Sequence, residues 1–100
     1  MFLLRQTEEF VAWLDALSDK AAQVRIAARL RQVEAGNLGD WKVVEGDVAE
    51  MRMHFGPGYR LYFTRRGQIV VVLLCGGNKS TQAKDIRRAA KLSSQIGEVN

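Results

Sequence analysis

One hundred residues, 47% of them hydrophobic, allow one packed domain with a single modest core over 1–100 and exclude a disordered chain. No apolar run approaches the ~20 residues that a membrane helix needs. The opening apolar stretch is too short for a signal-peptide core, so a cytoplasmic protein with no membrane partner is expected. A single Cys and a single His can make neither a disulfide nor an ordinary zinc site, and no metal or cofactor is expected. Net charge is +4 but unevenly spread: residues 1–50 carry −3 and residues 51–100 carry +7. That asymmetry points to a nucleic-acid face, although basic residues also serve simply to solvate a surface.

In chain order, residues 2–5 read as a short strand at a sheet edge. Thr7 is placed to cap a helix, with Glu8 and Glu9 favouring its positive end. Phe10, Trp13, Leu14 and Leu17 recur at helical spacing. Asp19 can cap a second helix, whose buried side is marked by Ala22, Ile26, Leu30 and Val33, with Arg25, Arg29 and Arg31 read as a solvated face. Gly36-Asn37 stops it. Two helices joined by a short link make a helical hairpin.

Beyond a loop at 38–40, residues 41–44 read as a strand, 48–55 and 59–66 as the arms of a hairpin closed by Gly56-Pro57-Gly58, and 69–75 as an apolar strand buried on both faces. Short links between these strands imply an antiparallel meander. Ser80 or Thr81 can cap a last helix with Ile86, Ala89, Ala90 and Ile96 inward and Lys84, Arg87, Arg88 and Lys91 outward. The expected fold is α+β: an N-terminal helical hairpin on an antiparallel sheet, with a short C-terminal helix.

The hairpin carries the chemistry. Side chains alternate across a strand, so Met51, Met53, Phe55, Tyr59, Leu61 and Phe63 form an apolar face. Glu50, Arg52, His54, Arg60 and Tyr62 gather on the other. RNA cleaves itself when its 2′-hydroxyl is deprotonated in line with the phosphorus, and a protein assists with a base, an acid and cations. Arg52 and Arg60 suit the cation role, because a guanidinium grips phosphate oxygens through paired hydrogen bonds. The structural alternative for Arg52 is an ion pair with Glu45, Asp47 or Glu50. Glu50 and His54 are the base candidates on that face. Tyr62 can stack on a nucleobase or make a cross-strand contact. Lys79 follows two glycines and precedes a helix, a place that attracts anions, yet the Gly spacing of a P-loop is missing. Cys75, at the end of an apolar strand, reads as a buried structural thiol.

Several segments together carry a resemblance: Phe10-x-x-Trp13-Leu14; Arg25-Ile26-x-x-Arg29-Leu30; Gly36-Asn37-x-Gly39-Asp40-x-Lys42; Glu50-x-Arg52; Gly56-Pro57-Gly58-Tyr59-Arg60-x-Tyr62-Phe63; and Gly76-Gly77-x-Lys79-Ser80-Thr81-Gln82-x-x-Asp85-Ile86. From about residue 7 to 92 the chain resembles the addiction-module killer proteins, the Gp49-like, HigB-type branch of the RelE/ParE toxin superfamily. The resemblance implies a toxin of a type II toxin–antitoxin pair, with a cognate antitoxin that often carries a helix-turn-helix domain. It further implies a ribosome-dependent, metal-independent endoribonuclease acting on mRNA. Arg52 and Arg60 match phosphate-binding arginines of RelE-like enzymes, and Lys79 a basic residue that ends the central strand. Tyr62, Lys42, Lys84 and Arg87 are the expected RNA contacts. Val48 and Glu50 stand where RelE-type enzymes carry lysines, and Asp85 or its neighbours where they carry a tyrosine. The acid and base therefore do not transfer, and Glu50 and His54 are expected in those roles on the residues alone. The alternatives are a ParE-like inhibitor of DNA gyrase and an inactive toxin that acts with its antitoxin only in operon autoregulation.

Overall fold

The structure is a computed structural model and describes residues 1–96. Its elements are β1 (Leu3–Gln6), α1 (Glu8–Asp15), α2 (Lys20–Glu34), β2 (Trp41–Glu45), β3 (Val48–Arg52), β4 (Tyr59–Arg66), β5 (Val70–Asn78), a single 3-10 turn (Lys79–Thr81) and α3 (Gln82–Ile96). Both expected N-caps form. The Thr7 hydroxyl accepts from Phe10 N–H, and the Asp19 carboxylate accepts from Ala22 N–H. Each satisfies a donor that the first helical turn leaves open. The third helix is capped differently. Asn78, not Ser80 or Thr81, accepts from Ser80 N–H, while the Thr81 hydroxyl accepts from Asn78 N–H. An amide side chain one residue before Lys79 reaches that N–H as well as a hydroxyl could.

The five strands lie in the order β1-β5-β4-β3-β2. From β2 to β5 the sheet is the expected antiparallel meander. β1 departs from it by running parallel to β5. Short hairpin links force antiparallel neighbours, but β1 is separated from every other strand by two helices, so its direction follows the path of those helices. The β4–β5 register shifts at Tyr62/Phe63, which leaves Leu74 as an extra residue in β5.

Each face of the sheet has its own core. On one, Phe10, Ala22, Ile26, Leu30 and Val33 of α1 and α2 pack on Met51, Leu61, Phe63, Val71 and Leu73. The four α2 positions read from spacing are all buried, and fully burying a side chain such as Ile26 contributes about 1.5–3 kcal/mol. On the other face, Ala89, Ile86, Ala90, Leu92 and Ile96 of α3 pack on Val48, Tyr62, Val72, Leu74 and Cys75. The C-terminal helix is not short. It has 15 residues, as many as α2, and covers the sheet face expected to stay open. The first arm of the hairpin is also shorter than its alternation suggests. β3 stops at Arg52, although Met53 N–H still donates to the Tyr59 carbonyl at 2.9 Å.

β5 carries Gly76 and Gly77 because nothing larger fits. A Cβ on Gly76 would fall within the Trp13 indole of α1, and one on Gly77 within the Asp85 carboxylate of α3. Backbone from β5 can therefore run between an aromatic ring and a hydrogen-bonded acid and deliver Lys79 to one end of the sheet.

Candidate functional site

Four segments meet at that end: the loop before β2, the end of β3, the Gly56-Pro57-Gly58 turn, and the turn after β5. An aromatic chain anchors them to the helices. Trp13 meets Tyr59 edge-on at 6.2 Å between centroids, Tyr59 meets Phe55 at 5.7 Å, and the Arg25 guanidinium lies 4.2 Å over the Phe55 ring. Arg25 is thus a packing residue as well as a surface charge.

Arg29 is half-buried and clamps the loop. It donates to the carbonyls of Leu38 (2.9 Å), Asp40 (3.0 Å) and Arg52 (3.2 Å), and burial pushes its guanidinium below the usual arginine value. These contacts take it out of the solvated face expected of Arg25, Arg29 and Arg31. The signal available was its spacing, three residues after Ile26 and four before Val33, which sets it on the buried side of α2.

Arg52 and Arg60 are direct cross-strand partners, so they leave neighbouring strands on one side. Their surroundings differ. Arg52 Nη2 donates to Asp40 Oδ1 at 2.9 Å, a different acid from Glu45, Asp47 or Glu50. Asp40 Oδ2 also meets His54 Nε2 at 2.5 Å. These hydrogen bonds from Arg52 and His54 hold the Asp40 carboxyl down at about 2. Among the described residues Arg60 meets no carboxylate. It donates only to the carbonyls of Gly58 (3.1 Å) and Tyr59 (3.3 Å), and its Nε has no partner.

Arg60 and exposed Lys79 line a hollow of about 420 Å³ with His54, Met53, Phe55 and the Gly56-Pro57-Gly58 turn. Gly58, at φ +76°, lets the chain pass close to both: a Cβ there would lie 3.3 Å from Lys79 Cβ and 3.5 Å from Arg60 Nη1. A second hollow of about 320 Å³ adjoins it through Met53, His54 and Phe55, and is lined by Arg25, Arg29, Gln32, Asp40 and Arg52. Arg60 and Lys79, in a hollow whose lining holds no carboxylate, attract an anion.

The remaining candidates divide. Glu50 and Tyr62 are each fully buried under α3. Gln82 Nε2 donates to both Glu50 oxygens, at 2.9 and 3.3 Å. Among the described residues the Tyr62 hydroxyl has no partner, and burial with nearby Glu50 pushes its pKa well up. This corrects the expectation that Glu50 acts as a base and Tyr62 stacks on RNA: strand alternation set them on the right face, and α3 closed it. Lys42 is exposed on edge strand β2, and Lys84 and Arg87 are exposed on α3. None of the three lines either hollow. Arg88 pairs with Glu9. Cys75 is buried as expected, its thiol pushed up to about 12 by burial and by Asp85. Asp40 was missed as a site residue. It stands 14 positions from His54 in a loop without periodicity.

A two-helix layer covers one face of this β-meander and α3 the other, with Arg60 and Lys79 together at one end of the sheet. A solved structure with this fold is that of a double arginine-to-alanine mutant of the E. coli toxin RelE in the free state, at TM-score 0.67 and 17% identity over 95% of this chain and 97% of that one. The chain belongs to the phage derived protein Gp49-like family (DUF891), whose pattern matches residues 12–94. An uncharacterized protein of Haemophilus influenzae is 40% identical over 94 residues, covering 94% of this chain and 95% of that protein.

Proposed function

We propose that this protein is the toxin of a type II toxin–antitoxin pair, of HigB type, and that it cuts mRNA on the ribosome, with a cognate antitoxin as its inhibitor. The observation that carries the reading is Arg60: a guanidinium held by backbone carbonyls alone, beside Lys79, at the rim of a hollow large enough for a nucleotide backbone. Family membership and the RelE fold support the toxin half of the proposal.

In the reaction, the 2′-oxygen of a bound RNA attacks its own phosphorus as the P–O5′ bond breaks, giving a cyclic phosphate and a free 5′-hydroxyl. Arg60 and Lys79 neutralise charge that builds on the phosphoryl oxygens. Arg52, its charge already met by Asp40, orients the neighbouring groups. With Glu50 enclosed, His54 is the base candidate that reaches solvent, and it borders the cationic hollow.

The test is induction of the protein without its antitoxin, followed by mapping of mRNA 5′ ends in a translating extract. New ends within translated codons, absent with folded Arg60→Ala protein, are the expected result. Full toxicity of folded Arg60→Ala would sink the assignment. The ParE-like reading predicts the reverse: intact mRNA and inhibited supercoiling by purified gyrase. An inactive toxin confined to operon autoregulation predicts no growth arrest at all.

A further inference from the structure

We propose that Asp40 is a positioning residue for catalysis: its carboxylate fixes the His54 imidazole in the Nε2–H tautomer, which leaves Nδ1 as the atom that takes the 2′-hydroxyl proton. The inference rests on the nuclease reading above and names the part of the site that reading leaves open.

The geometry begins with the backbone of Asp40. Its carbonyl accepts from Arg52 N–H at 3.0 Å and from Arg29 Nη2 at 3.0 Å, and the preceding Gly39 N–H donates to the Asn37 side chain at 2.9 Å. The loop is therefore tied to both α2 and β3. The carboxylate then divides its two oxygens, Oδ1 accepting from Arg52 and Oδ2 facing His54 Nε2. Its low pKa keeps it ionised near neutrality. An ionised carboxylate only accepts, so Nε2 must be the nitrogen that carries hydrogen. In the neutral ring the lone pair is then on Nδ1.

His54 has 71% of its side chain exposed. An imidazole that open samples several rotamers and both tautomers unless something holds it. Asp40 supplies the restraint, at a residue that borders both hollows. The charged groups around the imidazole are Asp40 and Arg52 beside it, Arg25 and Arg29 from α2, and Arg60 and Lys79 across the larger hollow. Asp40 is the one acid among them.

The step balances without a further reactant. Nδ1 takes the 2′-hydroxyl proton, the O2′–P bond forms, the P–O5′ bond breaks, and the departing 5′-oxygen takes a proton from water. The imidazolium returns its proton to solvent.

The experiment compares wild type with Asp40→Asn and Asp40→Glu. Because Arg52 occupies Oδ1, an asparagine presents its amide N–H to Nε2 and drives the ring to the Nδ1–H tautomer. Long-range proton–nitrogen NMR on 15N-labelled protein at about pH 8, where imidazoles are ordinarily neutral, reads the tautomer without reference to activity. Cleavage of mRNA on translating ribosomes is measured in parallel against pH. The expected result is Nε2–H in wild type and Nδ1–H in Asp40→Asn. Cleavage by Asp40→Asn should fall about 100-fold with its acid limb lost, the general-base range, and Asp40→Glu should restore part of the rate. Nδ1–H in wild type, or the same tautomer in both proteins, overturns the proposal whatever the activity. A changed tautomer with unchanged rate and pH profile also overturns it and leaves the nuclease reading standing. The expected tautomers with no cleavage by wild type overturn the nuclease reading, and this role falls with it.

Discussion

Arg60 and Arg66 leave the same side of β4 near its two ends, and their circumstances are opposite. Arg66 is 17% exposed and saturated: it donates to Asp47 at 2.8 Å, to the Ser93 carbonyl and hydroxyl at 3.0 and 3.1 Å, and to Thr64. Ser93 in turn donates to Asp47. That network fastens the second half of α3 to the sheet. Arg60, beyond the start of α3, finds among the described residues only two carbonyls of its own turn. One strand thus shows a guanidinium spent on folding and another that, on the proposed function, is left for a ligand. Residue type does not separate them; what covers them does.

The sharpest way to break the comparison is Arg60→Ala. Cleavage should fall about 100-fold or more, the usual loss when a charge-stabilising donor is removed, with thermal midpoint nearly unchanged. Equal losses of activity and stability would erase the distinction. Arg66→Ala should do the converse. It strands Asp47 and Ser93 and should cost about 2–3 kcal/mol by urea titration, while the protein that remains folded keeps its specific activity. Gly77→Ala, directly across from Arg60 on β5, should cost about 1–3 kcal/mol by overpacking against Asp85.

Asp40 gives a smaller, pH-dependent effect. Its folded pKa is depressed from 3.8 to about 2, so its contribution to stability is complete above the ordinary carboxylate range and is lost as pH falls through the folded value. The stability difference between wild type and Asp40→Asn should therefore be flat above about pH 5 and shrink toward pH 2, measurable by denaturant titration at each pH. Tyr62→Phe should change least. Its hydroxyl makes no hydrogen bond among the described residues, so stability should shift by no more than about 1 kcal/mol and cleavage not at all. A large activity loss there would mean that α3 lifts from the sheet during the reaction.

Much of the fold could be read from periodicity. The stripe of α2, the caps at Thr7 and Asp19, and the doubly buried β5 all follow from local spacing, which folding left intact. Strand alternation also brought Arg52 and Arg60 together correctly. It failed where a third element decided the outcome. Alternation says which residues share a face, not what lies upon it, so Glu50 and Tyr62 looked available until α3 covered them. The parallel pairing of β1 and the grip of Asp40 on Arg52 and His54 depend on chain paths that span two helices or a loop without a repeating pattern.

Gly76 and Gly77 show how closely the two helical layers approach β5. With two successive residues reduced to backbone, an indole and a carboxylate from opposite layers approach the same few atoms of strand, and any larger residue must displace one of them. On the proposed function, changes at Arg60 or His54 act on activity and leave the scaffold standing, whereas a larger residue at either glycine acts on the scaffold first. The diglycine is therefore a constraint of the scaffold itself, whatever the charged rim binds.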